Sequence, residues 1–96
     1  MARFVGSVID PTSATIPNAR VVATNGATGT SARAVTNGAG QYVIPDLVPG
    51  DYSVRGEKTG FVKKTITGIA LQVGQMGEID FPLEIGAVTQ SVQVGG

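Results

Sequence analysis

The side chains of this chain that could do chemistry are carboxylates and hydroxyls, because its 96 residues include no histidine and no cysteine. The chain therefore lacks the usual general base at neutral pH and the common nitrogen and sulfur metal ligands. A serine nucleophile would need a base partner. Four of the five serines instead fit exposed strand positions: Ser7, Ser31, Ser53 and Ser91. We therefore expect a protein that is not an enzyme and that uses no cofactor and no bound metal.

The carboxylates could bind calcium or act as an acid/base pair. Asp46 and Asp51 flank one turn, and Asp10 precedes a proline. Oxygen-rich loops bind calcium, but isolated aspartates beside proline and glycine more often cap turns. Acid/base work of the glycosidase type needs a carboxyl group of raised pKa, and no pocket that would supply one is implied. Turn capping is the favoured interpretation, with calcium binding as the alternative.

Two further chemistries depend on aromatic rings and on lysines. Sugar-binding sandwiches stack exposed aromatic rings on the sugar, whereas this chain has no tryptophan and its two tyrosines fit core positions. Carbohydrate binding therefore stays an alternative. An internal lysine–asparagine crosslink needs a lysine on the first strand, and that strand offers only Arg3. All three lysines lie between Lys58 and Lys64, so no crosslink is predicted.

Charge and hydropathy argue against nucleic acid and membrane partners. Seven basic and seven acidic residues cancel and are spread along the chain, and the tightest basic group is Lys63-Lys64. Nucleic-acid binding normally leaves a basic stripe, and none is visible in the sequence. No apolar run approaches the ~20 residues of a spanning helix, so we expect no direct membrane insertion. Residues 1–4 do not lead into a signal peptide, so an export signal would lie outside this chain.

Fourteen glycines and five prolines separate short valine-rich segments, a pattern typical of an all-β fold. The length fits one domain. Period-two alternation predicts strands over 4–10, 19–24, 30–36, 41–44, 51–58, 61–67, 69–73, 77–85 and 88–94. Pro82 predicts an edge position or a bulge, and two Asn-Gly pairs at 25–26 and 37–38 predict turns with positive φ. Seven to nine such strands make a β-sandwich.

The same pattern predicts the residues of the core and of the turns. The expected core consists of Val8, Val21, Tyr42, Leu47, Tyr52, Val54, Phe61 and Leu83. Gly40 and Gly50 permit tight turns, and Pro49 presets φ for its turn. Gly60 lets the chain turn sharply, so that the next residue can close the end of the sandwich. Both tyrosines can place their rings in the core and their hydroxyls at its rim.

The last ten residues form a separate part of the prediction. We expect a sandwich domain over 1–86 and a C-terminal strand or linker over 87–96. The uncharged, alternating segment 88–94 fits an ordinary last strand. It also fits a strand that pairs with an exposed edge of a neighbouring copy through Val88, Val92 and Val94. The second interpretation predicts a self-assembling fibre or adhesion domain.

Several segments resemble a known family. The segments at 6–10, 16–21, 36–42, 47–52 and 60–61 together resemble the carboxypeptidase regulatory-like domain, a transthyretin-like Greek-key sandwich of seven strands. They look most like the N-terminal domain of Oar-type TonB-dependent outer-membrane receptors, and 83–94 resembles the segment leading out of that domain. The resemblance implies a non-catalytic structural or protein-interaction module. It also implies a bacterial periplasmic, outer-membrane or cell-surface location, and a partner that is another protein or the rest of a receptor chain.

Overall fold

The computed structural model describes residues 1–86, which form eight strands and no helix. Buried and exposed side chains alternate along the longer strands, because successive residues of a strand face opposite sides of its sheet. None of these residues forms a helix long and apolar enough to cross a membrane. The strands are β1 Ala2–Ile9, β2 Arg20–Asn25, β3 Ser31–Val35, β4 Gln41–Leu47, β5 Gly50–Glu57, β6 Lys64–Leu71, β7 Met76–Glu78 and β8 Phe81–Pro82.

The strands form two sheets that pack face to face. One has the order β4-β1-β7, with β8 also paired to β1, and the other has the order β3-β2-β5-β6. Pairing is antiparallel except for β7 and β8, which run parallel to β1. The largest fully buried side chains come from both sheets: Phe4, Val8, Val21, Ile44, Val54, Phe81 and Leu83. The predicted all-β sandwich is confirmed.

A single strand, β6, replaces the two strands predicted over 61–67 and 69–73. Gly68 has a φ of 72°, and the register with β5 shifts by one residue between Tyr52 and Val54. Glycine at positive φ accommodates one extra residue as a β-bulge. The strand therefore continues through Gly68 instead of ending there.

The strand predicted over 77–85 is divided into β7 and β8. At the interruption the carbonyl oxygen of Ile79 accepts a hydrogen bond of 2.6 Å from the Tyr42 hydroxyl, while its N–H bonds to Val5. That carbonyl lies directly over Gly6, where no side chain could fit. Pro82 lies in β8, which pairs only with β1 in the described chain and so leaves the proline at an edge.

Turns form at both Asn-Gly pairs, but the positive φ predicted for those residues is wrong. Neither pair has a positive φ, which occurs instead at Gly29 and Gly40, with φ of 75° and 72°. Asn25 and Asn37 use their side chains, whose Oδ1 atoms accept hydrogen bonds from the amide two residues later at 2.8 and 2.9 Å. Because the side chain completes the first part of each turn, the left-handed residue moves to a later glycine.

Strand β4 is longer than the predicted segment, which ended at Ile44. It continues through Pro45 and Asp46 to Leu47, with a φ of 60° at Asp46 and a register shift against β1. This bulge turns Leu47 back into the core, where it is buried.

Candidate functional site

The side chains predicted for the core lie on the inner faces of the two sheets, with one exception. Phe61 is only partly buried, because it lies in the loop between β5 and β6, where it packs against the margin of the core. The others are buried: Val8, Val21, Tyr42, Leu47, Tyr52, Val54 and Leu83. These residues build the scaffold, and their side chains are not available to a ligand.

The rings of both tyrosines are buried in the core. The Tyr52 ring meets Phe4 edge-on at 5.6 Å, and its hydroxyl donates a 2.7 Å hydrogen bond to the Val48 carbonyl. Burial raises the pKa of Tyr42, and the nearby Asp80 carboxylate adds to that effect. Of the five aromatic residues only Phe61 is not fully buried, so residues 1–86 offer no pair of exposed rings to a sugar.

The predicted turn residues lie at both ends of the sandwich. Gly40 has positive φ, and a Cβ there would lie 2.7 Å from the Thr15 side chain. Pro49 lies in the bend between β4 and β5, and Gly50 is the first residue of β5. Gly60 comes one residue before Phe61 in the β5–β6 loop. These positions shape the loops, and the loop at 58–63 also forms part of the wall of a surface groove.

Asp10 caps a turn. Its Oδ1 accepts hydrogen bonds from the Thr12 hydroxyl at 2.6 Å, the Thr12 amide at 2.8 Å and the Ala14 amide at 3.0 Å. The Thr12 hydroxyl is the main reason that the pKa of Asp10 is lowered, with the amides adding to it and desolvation opposing it. Within residues 1–86 no three acidic side chains come together to hold a metal ion.

The Asp10 turn gives a pH-dependent prediction for Asp10→Asn. A carboxyl whose pKa falls on folding adds stability above its unfolded pKa and loses it as the pH drops through the folded value. We expect Asp10→Asn to lower the Tm at pH 7 and to match the parent protein near pH 2, as measured by thermal unfolding followed by circular dichroism. Asp51→Asn is the control, because that carboxylate accepts no hydrogen bond in the described chain. An equal loss at both pH values would contradict the capping role.

Charge is divided between the two sheets. Six of the seven basic residues belong to the β3-β2-β5-β6 sheet or to the loop between β5 and β6, which together we call the basic layer: Arg20, Arg33, Arg55, Lys58, Lys63 and Lys64. This layer contains only two acidic residues, Asp51 and Glu57. The other sheet and the residues adjoining its strands carry Arg3 and five acids, Asp10, Asp46, Glu78, Asp80 and Glu84. Zero net charge thus conceals one basic and one acidic layer.

The register of the strands places three arginines on the outer face of the basic layer. Val22 pairs with Arg33 on one side and with Arg55 on the other, so these three side chains lie in one row. Arg20 begins the neighbouring row, two residues along β2. Paired residues on adjacent strands share a face, and diagonal neighbours lie about 7–8 Å apart. Arg55 bonds to Glu57 at 3.4 Å, the one salt bridge within residues 1–86.

A groove of about 430 Å³ lies at one end of this face, beneath the loop at 58–63. Its cationic lining consists of Arg20, Lys58 and Lys63, and its apolar lining of Val35 and Phe61. Asn18, Glu57, Thr59 and Gly60 complete the wall. The arrangement can hold an anionic group beside an apolar one, and it is the strongest candidate for a binding surface in the described structure.

Sequence reasoning missed this surface because the basic residues are far apart along the chain. Their common side follows only from the register, which brings β3, β2 and β5 together. A signal was present, since Arg20 lies on the polar face of its predicted strand. Val88, Val92 and Val94 lie outside the described residues, so strand addition through them stays a prediction.

Solved structures share the fold at low identity. A candidate carbohydrate-binding protein from Bacteroides uniformis gives a TM-score of 0.67 at 18% identity, covering 85% of this chain and 40% of that one. A cohesin–X–dockerin complex of Acetivibrio cellulolyticus gives a TM-score of 0.65 at 22% identity, covering 88% of this chain and 57% of that one. Chlorocatechol 1,2-dioxygenase from Pseudomonas putida gives a TM-score of 0.65 at 12% identity, covering 86% of this chain and 59% of that one. This chain thus spans 40% to 59% of their lengths, and at these identities the likeness shows the fold alone.

Comparison of the sequence itself is more specific. No curated protein sequence matches the chain. The pattern of the carboxypeptidase regulatory-like domain matches residues 3–84, which is nearly the whole described structure. The chain therefore belongs to the carboxypeptidase regulatory-like domain family, as a β-sandwich domain of that type.

Proposed function

We propose that this domain is a non-catalytic protein-interaction module and that its basic layer is the surface it presents. The observation that carries the proposal is the gathering of Arg20, Arg33 and Arg55 on one outer sheet face, beside a groove lined by two lysines. Evenly mixed charge would favour a passive spacer, whereas a face of one sign attracts and orients a partner of the opposite sign. Cohesin–X–dockerin assemblies, which share the fold, support this class of function by analogy only.

We further propose that the domain is an accessory part of a larger bacterial outer-membrane receptor of the TonB-dependent type, on the periplasmic side or at the cell surface. This setting rests on the resemblance of the segments at 36–42 and 47–52 and of the stretch after 83 to such receptors. Under this proposal the partner is either a separate protein or another part of the receptor chain.

Carbohydrate binding has less support than protein binding. The fold neighbour from Bacteroides uniformis suggests it by name. The exposed ring surface of residues 1–86 is limited to part of Phe61, however, and the groove around it is basic. Neutral sugars are held chiefly by stacking on exposed rings, so the groove fits an anionic partner better.

The setting is tested by fractionating the cells that produce the protein and probing them with an antibody raised against residues 1–86. We expect a band far larger than the 9.7 kDa of this chain, in the outer-membrane fraction. A small species confined to the cytosol would contradict the receptor proposal. A cytosolic marker protein, probed in the same fractions, is the control for lysis.

A further inference from the structure

Within residues 1–86, strand β3 is an edge strand of the basic layer. It pairs with β2 and with no other strand of the described chain. The Asn25 N–H donates a hydrogen bond to the Thr30 carbonyl, and the Thr36 N–H donates one to the Ala19 carbonyl. The even-numbered residues of the segment 30–36 therefore direct their backbone N–H and C=O groups toward β2. In an antiparallel ladder the intervening residues point their N–H and C=O groups to the other side. The backbone of Ser31, Arg33 and Val35 therefore faces the open edge.

The side chains of the same residues lie on the outer, basic face. Arg33 is exposed and pairs with Val22, and Val35 is exposed at 57% and lines the groove. A chain that pairs with β3 would lie roughly 5 Å from it, with every second side chain on the basic face. At those positions carboxylates would meet Arg33 and, one strand further, Arg20. Its end would reach Lys58 and Lys63 in the groove.

The combination of an edge strand and a basic face selects one class of partner. A nucleic acid has no amide ladder to offer β3, and Glu57 in the groove wall repels closely spaced phosphates. An acidic sugar polymer likewise leaves the backbone groups of the edge unused. An extended peptide satisfies both, because strand addition takes its affinity from main-chain hydrogen bonds and its specificity from alternate side chains.

We propose that β3 and the adjoining groove bind an extended acidic polypeptide segment by strand addition, with alternate Glu or Asp residues against Arg33, Arg20 and the groove lysines. This inference rests on the proposed protein-interaction function and names its partner. The affinity of such a site falls with ionic strength, because exposed charge pairs are screened within about 10 Å at 0.1 M salt.

The test uses a fluorescein-labelled peptide of nine alternating glutamate and threonine residues, titrated with the full chain and followed by anisotropy. We expect binding at low salt that weakens at high salt, with Kd raised about tenfold by Arg33→Gln through loss of a charge-assisted contact. Val35→Pro removes an N–H that faces the open edge and not the β2 ladder, so it should raise Kd by a similar factor while the fold is kept. Arg3→Gln, on the acidic layer, is the matched control and should leave Kd within about twofold.

Four outcomes would overturn the site. They are no binding at millimolar peptide, an unchanged Kd in both edge variants, displacement by oligodeoxythymidine at lower concentration than by unlabelled peptide, and salt-sensitive self-association in light scattering. The third would indicate a nucleic acid, and the fourth a second copy whose acidic layer occupies the basic one. If fractionation gives a receptor-sized band but the peptide does not bind, the β3 site is wrong and the receptor setting stands. If the peptide binds but fractionation gives a small cytosolic band, the receptor setting is wrong and the β3 site stands.

Discussion

Gly6→Val is expected to destabilise the domain by at least about 3 kcal/mol, near the upper end of what overpacking costs. A Cβ at Gly6 would lie 1.8 Å from the carbonyl oxygen and 2.7 Å from the carbonyl carbon of Ile79. Both atoms belong to the backbone, which also accepts the hydrogen bond from Tyr42 and donates one to Val5. The connection between β7 and β8 would have to leave β1, and the pairing on that side of the sheet would be lost.

The measurement is the free energy of unfolding from urea denaturation, compared with Gly38→Ala. Gly38 has no atom within 4 Å of a Cβ and no positive φ, so its replacement should change stability by no more than about 1 kcal/mol, and in the stabilising direction. Equal stabilities for the two variants would show that the Ile79 carbonyl does not lie over β1.

Tyr52→Ala is expected to cost about 3–5 kcal/mol, the range for removing a large aromatic side chain from a core. The ring is 4% exposed and packs edge-on against Phe4, while its hydroxyl bonds to the carbonyl of Val48. A domain of this size has a total stability of roughly 5–14 kcal/mol. The variant should therefore melt at a much lower temperature, or be partly unfolded at 25 °C.

Tyr52→Phe keeps the ring and removes only the hydroxyl, so it measures the contribution of the hydroxyl to stability. It should cost about 1 kcal/mol or less, because the Val48 carbonyl lies near the surface and can bond to water once the hydroxyl is gone. Thermal unfolding of both variants gives the comparison. A loss below about 1 kcal/mol for Tyr52→Ala, or an equal loss for both, would show that the ring does not hold the two sheets together.

The sandwich was predictable because alternation and turn residues are local signals. Inward positions such as Val21 and Val54 follow directly from the period of two. Strand ends were less predictable where a bulge lets pairing continue, as at Gly68 and Asp46. A glycine can either end a strand or form a bulge within it. Which of the two occurs depends on whether the partner strand continues to pair beyond the glycine.

The division of charge was not predictable from composition. Arg33 and Arg55 are separated by 21 intervening residues, yet they flank Val22 because β2 pairs with both β3 and β5. The order of strands in a sheet is a long-range property that alternation does not contain. Turn capping was predicted correctly for Asp10, which accepts local hydrogen bonds beside Pro11. It was wrong for Asp46 and Asp51, which lie within β4 and β5 and whose carboxylates accept no hydrogen bond within residues 1–86.

Photocrosslinking from the two sheets tests most directly whether the basic layer is the interaction surface. Benzoylphenylalanine replaces Val35 on the basic layer in one variant and Val43 on the acidic layer in another, two sites with similar exposure of 57% and 50%. Irradiation in the producing cells is followed by mass spectrometry of the products. We expect a polypeptide product from position 35, joined through an acidic segment, and little from position 43. Products from position 43 alone, or from neither site, would contradict the account.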